Sequence, residues 1–291
     1  MTDDNKDINN INNIWIINLD KSQDRMNHIK KNFDSFDLKY NRFSAIYGKD
    51  YTSEKSIHFV CKNFLCNTGM VGCNISHKKI WRQLLDSKEE YYIVFEDDVT
   101  IDQKTIDFLK IIPSFLEKYN INYLNLYGVD PFYDLYKPKF YIGNVGIIKP
   151  IFPIATTSYI ITRKGARFLL DHLSKNYYHV DWEILVLNLF TNFGYYATKP
   201  RLVDISEGYK KSTIGNDKHN YSLTMKTLST LNLFYPKWVL NIPLWTFFLK
   251  YEITGLLIFF LTLLLLNLKF FKSKILTGFI ILELVIYFLF L

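Results

Sequence analysis

The sequence predicts an α/β fold followed by a hydrophobic C-terminal segment. Short apolar runs rich in β-branched and aromatic residues, such as Ile14–Asn18 and Tyr91–Phe95, alternate with segments whose apolar residues recur at helical spacing. Three carboxylates directly follow the second of these runs, at a strand end, where open α/β sheets bind their ligands. Residues 242–291 are far more apolar than the rest of the 291-residue chain. This length accommodates one large domain and an appendage.

The acidic triplet Glu96, Asp97 and Asp98 is the most informative feature of the sequence. Adjacent carboxylates repel one another, and a buried carboxylate without a partner is destabilising, so three of them at a strand end require a compensating cation. A hard divalent cation binds oxygen ligands and keeps coordination positions for substrate phosphates. The triplet therefore indicates a metal site for a phosphate-containing substrate; the alternative is a solvated acidic turn.

The amino-acid composition indicates which kinds of molecule the protein is expected to bind. The net charge of +7 and the pI near 9.0 favour polyanions such as nucleotide diphosphates or anionic lipid head groups. No long basic run or nucleic-acid motif is present, so nucleic acid is not an expected partner. Cys61, Cys66 and Cys73 are odd in number and lack the C-x2-C spacing of zinc sites, which predicts reduced, structural thiols. Residues 1–13 are polar and predict a disordered tail without a secretory signal peptide.

The first strand, Ile14–Asn18, leads directly into a helix that Asp20 or Ser22 can cap. A strand–turn–helix start commonly holds the phosphates of a nucleotide near the helix N-terminus. Arg25 lies in the first turns of this helix and is either a nucleotide contact or a solvated surface residue. A second strand is expected over Lys39–Ala45.

An irregular loop is expected over residues 49–70, followed by a helix over residues 74–87. The spacing of His77 and Trp81 places them on one face of this helix, which predicts burial. A core histidine and a helix-capping Ser76 are the simpler alternatives to active-site roles for the adjacent Ser–His pair.

The second half of the chain continues the alternation of helices and strands. The predicted elements are a helix over 103–119 broken near Pro113, strands over 122–127, 157–162 and 196–204, a helix over 166–173 and a helix that begins at Val180. Residues 131–153 hold four prolines and many aromatic residues, the composition of a loop or an extended hairpin. We expect them to form a flap that binds a substrate.

Three sequence blocks carry a resemblance to a known family. They are Ile16-Ile17-Asn18-Leu19-Asp20 with Arg25, then Gly69-Met70-Val71-Gly72-Cys73-Asn74-Ile75-Ser76-His77 with Trp81, and finally Glu96-Asp97-Asp98. In this order the blocks resemble glycosyltransferase family 25, which includes bacterial lipooligosaccharide galactosyltransferases and the collagen galactosyltransferases of animals. The resemblance runs from about Ile14 to Gly215 and departs at Met70, where many relatives have an acidic residue.

The resemblance implies a fold and a reaction. The implied fold is a Rossmann-like nucleotide-sugar transferase domain of the GT-A type over residues 14–236. The implied reaction is an inverting transfer of a hexose, galactose or glucose, from a UDP-sugar to a hydroxyl group of a glycan, a lipid-linked glycan or a protein. Mn²⁺, or alternatively Mg²⁺, is the implied cofactor and would bridge the donor diphosphate.

The resemblance also implies residue roles at the matched positions. The implied nucleotide-sugar-binding residues are Asn18, Asp20, Arg25, Ser76, His77 and Asp97. The implied metal ligands are Glu96, Asp98 and His219, with a solvated loop histidine as the alternative at position 219. Asp181 and Glu183 stand in the first turn of a predicted helix. We expect one of them to be the general base of the displacement, with Asp181 preferred and helix capping as the alternative.

Two apolar runs, residues 242–268 and 275–291, predict a helical membrane anchor within the segment 237–291. The uncharged stretch 253–268 and the run 275–291, whose only charged residue is Glu283, are each slightly shorter than a hydrocarbon core of about 30 Å. Between them lies a basic turn formed by Lys269, Lys272 and Lys274. The positive-inside rule places this turn in the cytosol and the main domain in the lumen, whereas the missing signal peptide favours a cytosolic domain. Helices lying shallowly in the cytosolic leaflet satisfy both observations, so a membrane-associated, cytosolic catalytic domain is expected.

Two other functions are compatible with an acidic strand end. A nucleotidyltransferase, or another metal-dependent nucleotide enzyme, uses the same combination of carboxylates, cation and phosphate. A catalytically inactive, membrane-bound binding or scaffold protein would keep the fold without turnover. The products formed from UDP-sugars distinguish the three functions.

Overall fold

The structure of the protein is a computed structural model that describes residues 11, 13–51, 53, 55–128, 130, 132–206, 223–231, 243–247 and 251–289. Most of the predicted tail 1–13 and the predicted metal ligand His219 lie outside these residues. The chain divides into two compact units, which are residues 1–47 with 72–210 and residues 48–71 with 211–291. The boundary expected near residue 236 stays a prediction.

A mixed eight-stranded sheet forms the centre of the first unit. The strands of this unit are β1 (Ile14–Asn18), β2 (Asn41–Ser44), β3 (Tyr91–Glu96), β4 (Val99–Ile101), β5 (Tyr123–Asn125), β6 (Phe140–Ile142), β7 (Val145–Ile148), β8 (Ser158–Thr162), β9 (Tyr195–Lys199) and β10 (Val203–Ile205). The sheet order is β2-β1-β3-β8-β5-β9-β7-β6, and β4 pairs separately with β10. β1 runs parallel to β2 and β3, whereas β8 is antiparallel to both of its neighbours, β3 and β5.

Apolar clusters lie on both faces of this sheet. Ile93 and Phe95 of β3 belong to one cluster, and Tyr92 and Val94 belong to the other. All four side chains are buried. Burial on both faces explains why this strand is a continuous apolar run rather than an alternating pattern.

Helices connect the strands and supply the covering side chains. They are α1 (Gln23–Asp34), α2 (Thr68–Asp86), α3 (Gln103–Ile111), α4 (Pro113–Leu116), α5 (Arg163–His172) and α6 (Val180–Phe190). Ile29 and Phe33 of α1 belong to the first apolar cluster, and Ile80 and Trp81 of α2 belong to the second. The predicted α/β fold is therefore confirmed.

Most predicted elements of this unit are present. β1 has the predicted bounds, the helix predicted over 103–119 is broken at Pro113, and residues 140–148 form a hairpin. The prediction of a single strand over 196–204 is wrong, because this segment forms two strands, β9 and β10. Pro200 lies between them and has no N–H to give to a sheet, which ends the first strand.

The irregular loop predicted over residues 49–70 is also wrong in part. A 3-10 turn covers Gly48–Tyr51, a π-helical turn covers Cys61–Leu65, and α2 begins before residue 70. Cys61 and Cys66 form a disulfide with their Cα atoms 4.8 Å apart, so the expectation of three reduced thiols is wrong. The π-helical turn brings the two cysteines together, and their spacing in the sequence does not reveal this turn.

The second unit contains α7 (Leu223–Thr230), β11 (Pro243–Phe247), β12 (Tyr251–Thr254), α8 (Gly255–Leu266) and α9 (Lys274–Leu289). β11 and β12 pair as an antiparallel hairpin. α8 and α9 pack through an apolar cluster formed by Leu256, Leu257, Phe260, Ile280 and Tyr287. Glu283 of α9 is buried and accepts hydrogen bonds from the backbone N–H and the hydroxyl of Thr224, at 2.7 and 3.1 Å.

The predicted membrane-spanning anchor is not supported. Among the described residues, no helix combines the length and the apolar character that crossing a membrane requires. The first apolar run is interrupted, because β12 occupies part of it and α8 ends before Asn267. The Asn267 side chain donates to the Ser273 carbonyl at 2.9 Å and to the Thr277 hydroxyl at 2.8 Å, which stabilises the turn. α8 and α9 are therefore separate helices of 12 and 16 residues.

Candidate active site

The candidate active site lies at the C-terminal end of β3. Glu96 is the last residue of β3, and Asp97 and Asp98 form the short turn into β4. β1 runs parallel to β3, with Ile17 beside Glu96, so Asn18 at the end of β1 lies next to the triplet. The ends of two neighbouring strands therefore bring together residues from distant parts of the chain, as open α/β sheets do at their binding edges.

Asp97 is held by Arg25 and Asn18. Arg25 Nη1 donates to Asp97 Oδ1 at 2.8 Å, and Asn18 Nδ2 donates to Asp97 Oδ2 at 2.7 Å. All three residues are buried, so the solvated-surface alternative for Arg25 is wrong. Burial acts to lower the pKa of Arg25, but the hydrogen bond and the charge of Asp97 raise it above its usual value. The sugar-nucleotide contacts expected of these residues stay predictions.

Asp98 has an unsatisfied carboxylate oxygen. Its Oδ2 lies 3.5 Å from Arg25 Nη1, whereas its buried Oδ1 has no hydrogen-bond partner among the described residues. Burial raises the pKa of Asp98 to about 7, and the negative charges of Glu96 and Asp97 add to the effect while Arg25 opposes it. A carboxylate that Arg25 compensates only in part, beside a second carboxylate, fits a divalent cation with oxygen ligands.

Glu96 points to a different set of partners. Its Oε1 lies 3.4 Å from His77 Nε2 and accepts a hydrogen bond from the Thr156 hydroxyl at 3.2 Å. Burial acts to raise the pKa of Glu96, but the hydrogen bond and charge of His77 lower it below its usual value. His77 Nδ1 is 2.9 Å from the Tyr159 hydroxyl, so both ring nitrogens have partners. The structure thus brings His77 to the acidic strand end, as expected.

Cys73 is a neighbour of this pair that the sequence analysis treated as structural. Its Sγ, a ring nitrogen of His77 and a carboxylate oxygen of Glu96 lie within 4.8 Å of one another. Burial raises the pKa of the Cys73 thiol well above its usual value, and the charges of Glu96 and Asp181 raise it further. The four-residue spacing of Cys73 and His77 on one helix was the available signal.

Asp181 is buried and pairs with the half-buried His179, which was not among the expected site residues. His179 Nδ1 is in direct contact with Asp181 Oδ1. Burial acts to raise the pKa of Asp181, but the charge of His179 lowers it below its usual value. Burial acts to lower the pKa of His179, but the charge of Asp181 raises it, with Glu96 contributing in the same direction. The His-x-Asp spacing at a helix start was the signal for this pair.

Glu183, the second expected base, is bonded inside the protein. Its Oε2 lies 3.2 Å from Lys78 Nζ and 3.3 Å from Asn74 Nδ2. Its Oε1 accepts hydrogen bonds from the backbone N–H groups of Tyr177 and Tyr178. A carboxylate with this many donors stabilises the start of α6, and its catalytic role stays a prediction.

Two other expected binding residues have structural partners. The Ser76 hydroxyl donates to the Gly72 carbonyl at 2.7 Å and accepts from the Ile46 N–H at 2.8 Å. Asp20 lies at the surface, 2.5 Å from Arg42 Nη2, and accepts from the Ser44 hydroxyl at 2.8 Å. Arg42 lowers the pKa of Asp20 through this hydrogen bond. A contact of either residue with a nucleotide stays a prediction.

Several known proteins are similar in sequence to this chain. The family model of glycosyltransferase family 25 (LPS biosynthesis protein) matches residues 11–184. A glycosyltransferase 25 family member of Aedes aegypti is 25% identical over 57% of this chain and 29% of its own length. A lipooligosaccharide biosynthesis protein of Haemophilus influenzae is 23% identical over 54% of this chain and 63% of its own. Procollagen galactosyltransferase 1-A of Xenopus laevis is 22% identical over 54% of this chain and 28% of its own length.

These relatives differ from the chain in extent. The chain spans less than a third of the length of the mosquito and frog proteins. A crystal structure of a glycosyltransferase involved in glycosylation of the major capsid of PBCV-1 is 13% identical, covering 55% of this chain and 64% of that one, with a TM-score of 0.31. A similarity that low does not bear on the fold. The family match, by contrast, covers more than half of the chain and includes the acidic triplet, so the chain belongs to glycosyltransferase family 25.

Proposed function

We propose that this chain is a divalent-cation-dependent glycosyltransferase that moves a hexose, galactose or glucose, from a UDP-sugar to a hydroxyl of a glycan, a lipid-linked glycan or a protein. The observation that carries the proposal is the half-buried Asp98 carboxylate, whose buried Oδ1 has no hydrogen-bond partner among the described residues and which lies beside Glu96. Such a carboxylate is stabilised by a cation, and a cation is what a diphosphate leaving group needs. Family membership supports the same reaction class.

Asp98 and Glu96 are the proposed protein ligands of this cation. His219, which the family resemblance also implies as a ligand, lies outside the described residues, and that role stays a prediction. When bound, Mn²⁺ or Mg²⁺ neutralises charge on the diphosphate as the bond to the sugar breaks. Asp97 has no free oxygen for the cation, because Arg25 and Asn18 occupy both of its oxygens. This pairing holds the strand end in a fixed geometry, and a contact of Asp97 with the ribose or the sugar would share an oxygen with Arg25 or Asn18.

His179 and Asp181 are proposed to take the proton of the acceptor hydroxyl as a pair. Asp181 Oδ2 accepts from the Ala155 N–H at 3.1 Å, and its Oδ1 accepts from the Trp182 N–H at 2.8 Å and contacts His179. Because both oxygens are engaged, Asp181 is better suited to orient His179 than to accept the proton itself. His179 Nε2 would then take the proton while the acceptor oxygen attacks the anomeric carbon and the UDP leaves from the opposite face. Direct proton transfer to Asp181 is the alternative.

The acceptor is proposed to bind against the flap formed by residues 130–153. Asp130 holds this flap, because it accepts hydrogen bonds from the N–H of Phe132 at 2.7 Å, the N–H of Phe152 at 3.0 Å and the hydroxyl of Tyr136 at 3.1 Å. The rings of Phe132 and Phe152 lie 6.0 Å apart and are both partly exposed. Exposed aromatic rings on an ordered loop suit the apolar face of a sugar ring.

A panel of UDP-sugars tests the reaction class. The full-length protein is incubated with Mn²⁺ and each donor, and UDP, UMP and pyrophosphate are measured separately. Release of UDP from one or two donors, abolished by EDTA and restored by Mn²⁺, is the expected result. Pyrophosphate or UMP would instead indicate a nucleotidyltransferase or hydrolase of the diphosphate. No product from any donor would indicate a binding protein.

We propose a second property, attachment of the α8–α9 helix pair to the cytosolic surface of a membrane. Several large apolar side chains of this region are more than half exposed, namely Leu265, Leu268, Phe270, Phe271, Ile275, Ile281 and Phe288. The same region carries the basic residues Lys269, Lys272 and Lys274. Exposed apolar side chains with nearby lysines suit an anionic lipid surface, where the rings enter the head-group layer and the lysines contact phosphates.

A further inference from the structure

We infer that Cys73, His77 and Glu96 form a binding site for a borderline-soft divalent cation, of which Zn²⁺ is the best fit. Their ligand atoms lie within 4.8 Å of one another, and no other such group of three occurs in the described part of the chain. The inference goes beyond the proposed transferase reaction, which needs a hard cation on a diphosphate. It concerns a sulfur–nitrogen–oxygen site next to that position.

The fold creates this cluster from two elements. Cys73 and His77 lie four residues apart on α2, which places both side chains on one face of the helix. Glu96 comes from the end of β3. Ligands on a rigid helix and a sheet strand are held more firmly than ligands on loops.

The separations are close to those of a bound ion. Ligand atoms at about 2.0 to 2.3 Å from a tetrahedral zinc lie roughly 3.3 to 3.8 Å apart. His77 Nε2 and Glu96 Oε1 already lie 3.4 Å apart. The largest separation in the cluster is at most 4.8 Å, so a small side-chain rotation closes the site.

Neighbouring residues orient the ligands. The Tyr159 hydroxyl is 2.9 Å from His77 Nδ1 and accepts from Trp81 Nε1 at 3.0 Å, which fixes the ring with Nε2 toward Glu96. The Thr156 hydroxyl donates to Glu96 Oε1. Outer hydrogen bonds of this kind are a regular part of zinc sites, because they fix the tautomer of the histidine.

The chemistry of the three ligands selects the ion. A thiolate and an imidazole favour Zn²⁺ over Mg²⁺ or Mn²⁺, which prefer oxygen ligands. Three protein ligands leave a fourth position open, as in zinc sites that bind an exchangeable water or a substrate group. Since Glu96 is shared with the proposed Mn²⁺ site, zinc bound here would compete with the cation that serves the donor diphosphate.

The free thiol allows a direct spectroscopic test on the unmodified full-length chain. Cys61 and Cys66 are joined in a disulfide, so Cys73 is the free thiol among the three cysteines. The chain is freed of metal, kept oxidised at Cys61–Cys66 and titrated with Co²⁺, a spectroscopic substitute for Zn²⁺. We expect a thiolate-to-cobalt charge-transfer band that saturates at one ion per chain and is displaced by Zn²⁺. Absence of this band would overturn the inference without any variant having to fold.

Zinc calorimetry on variants locates the site. Y159F removes an outer hydrogen bond and should weaken Zn²⁺ binding by a factor of about 10 to 100. C73S and H77Q each remove a ligand and should weaken Zn²⁺ binding by more than this factor. H28Q is the matched histidine control, because His28 lies on α1 and bonds the Val99 carbonyl. Unchanged Zn²⁺ affinity in folded C73S or H77Q would contradict the site.

The Asp98→Asn variant separates this inference from the proposed function. The change should abolish Mn²⁺ binding at the donor position and leave Zn²⁺ binding within about threefold of the wild type, because Asp98 is not one of the three ligands. Zinc binding with no UDP release from any donor would retain the zinc site and reject the transferase. UDP release without zinc binding would support the transferase and reject the zinc site.

Discussion

Arg25 and Asp97 lie 72 positions apart in the sequence and meet in a buried ion pair, with 2.8 Å between Nη1 and Oδ1. Both side chains are 10% exposed, so little water solvates the two charges and each is stabilised mainly by the other. The pair connects the first helix of the fold to the acidic strand end. It therefore holds the turn in which Asp98 is located.

The first prediction concerns the stability that this pair provides. R25M leaves the Asp97 charge buried without its partner and should lower the free energy of unfolding by about 3 to 5 kcal/mol. D97N removes the closer of the two carboxylates that face the Arg25 guanidinium and should also destabilise, by less because Asp98 Oδ2 is still 3.5 Å away. The double variant R25M/D97N should lose less than the sum of the single changes, as measured by urea unfolding. K30M, at an exposed position of the same helix, is the control, and additive single changes would contradict the coupling.

A second prediction concerns the pH dependence of stability at the His179–Asp181 pair. The charge of His179 lowers the pKa of Asp181 against the effect of burial. The Asp181 carboxylate therefore adds to the free energy of unfolding above its unfolded pKa of 3.8, and this contribution is lost as the pH falls through its folded pKa. The charge of Asp181 raises the pKa of His179 against burial, so the contribution of the imidazole is full below its unfolded pKa of 6.5 and is lost as the pH rises through its folded pKa.

We therefore expect the wild type to exceed H179Q in free energy of unfolding by the largest margin between about pH 4 and pH 6.5, with the margin shrinking on both sides. Chemical unfolding at a series of pH values measures it. A margin that does not change with pH would show that the two side chains do not interact as an ion pair.

The third prediction separates the roles of His179 and Asp181 in turnover. If Nε2 of His179 takes the proton, H179A should lower kcat at least about 100-fold with UDP-sugar affinity little changed. Added imidazole should restore part of the activity of H179A, which a purely structural residue would not show. D181N should also be slow, without rescue by imidazole, because its His179 is present but misoriented.

The alternative, with Asp181 as the base, gives the opposite pattern of variants. D181N would then be nearly inactive, and H179A would keep most of its turnover. H172Q serves as the control, since His172 is exposed on α5 and its Nδ1 contacts the Phe168 carbonyl. Steady-state UDP release at saturating donor distinguishes the two patterns.

The sequence predicted those parts of the site that depend on local pattern. The strand predicted over Tyr91–Phe95 from its continuous apolar run is confirmed as Tyr91–Glu96. The burial of His77 and Trp81, predicted from their helical spacing, is also confirmed. The acidic triplet follows this strand directly, and ligand sites in α/β sheets lie at such strand ends, so its position predicted the candidate site. The alternating order of strands and helices was sufficient for the fold class.

Features that depend on tertiary contacts could not be predicted from pattern. For Arg25 the pattern left a nucleotide contact and a solvated surface position open, because its partner Asp97 lies 72 positions away in the turn after β3. The His-x-Asp spacing of His179 and Asp181 was a local signal, but the contact itself depends on the backbone at the start of α6. The antiparallel insertion of β8 beside β3 likewise depends on long-range pairing, which periodicity does not report.

The fourth prediction concerns membrane attachment. The full-length chain should sediment with vesicles that contain anionic lipid and should bind neutral vesicles less strongly. Replacing Lys269, Lys272 and Lys274 by alanine should weaken binding to anionic vesicles by about 100-fold, at about 1 kcal/mol per lysine. The matched control replaces the exposed residues Lys104, Lys110 and Lys118 instead. Equal loss in both triple variants, or no sedimentation of the wild type, would contradict attachment through this helix pair.

The most direct test of the central claim is calorimetric titration of UDP into the full-length protein with Mn²⁺ or with EDTA, for the wild type, D98N and the exposed control D107N. If the acidic strand end holds the cation that binds the donor diphosphate, the wild type and D107N should bind UDP at least about 10-fold more tightly with Mn²⁺ than with EDTA. D98N should bind UDP weakly under both conditions. Equal affinity of the wild type with Mn²⁺ and with EDTA, or an unchanged effect of Mn²⁺ in D98N, would contradict the account.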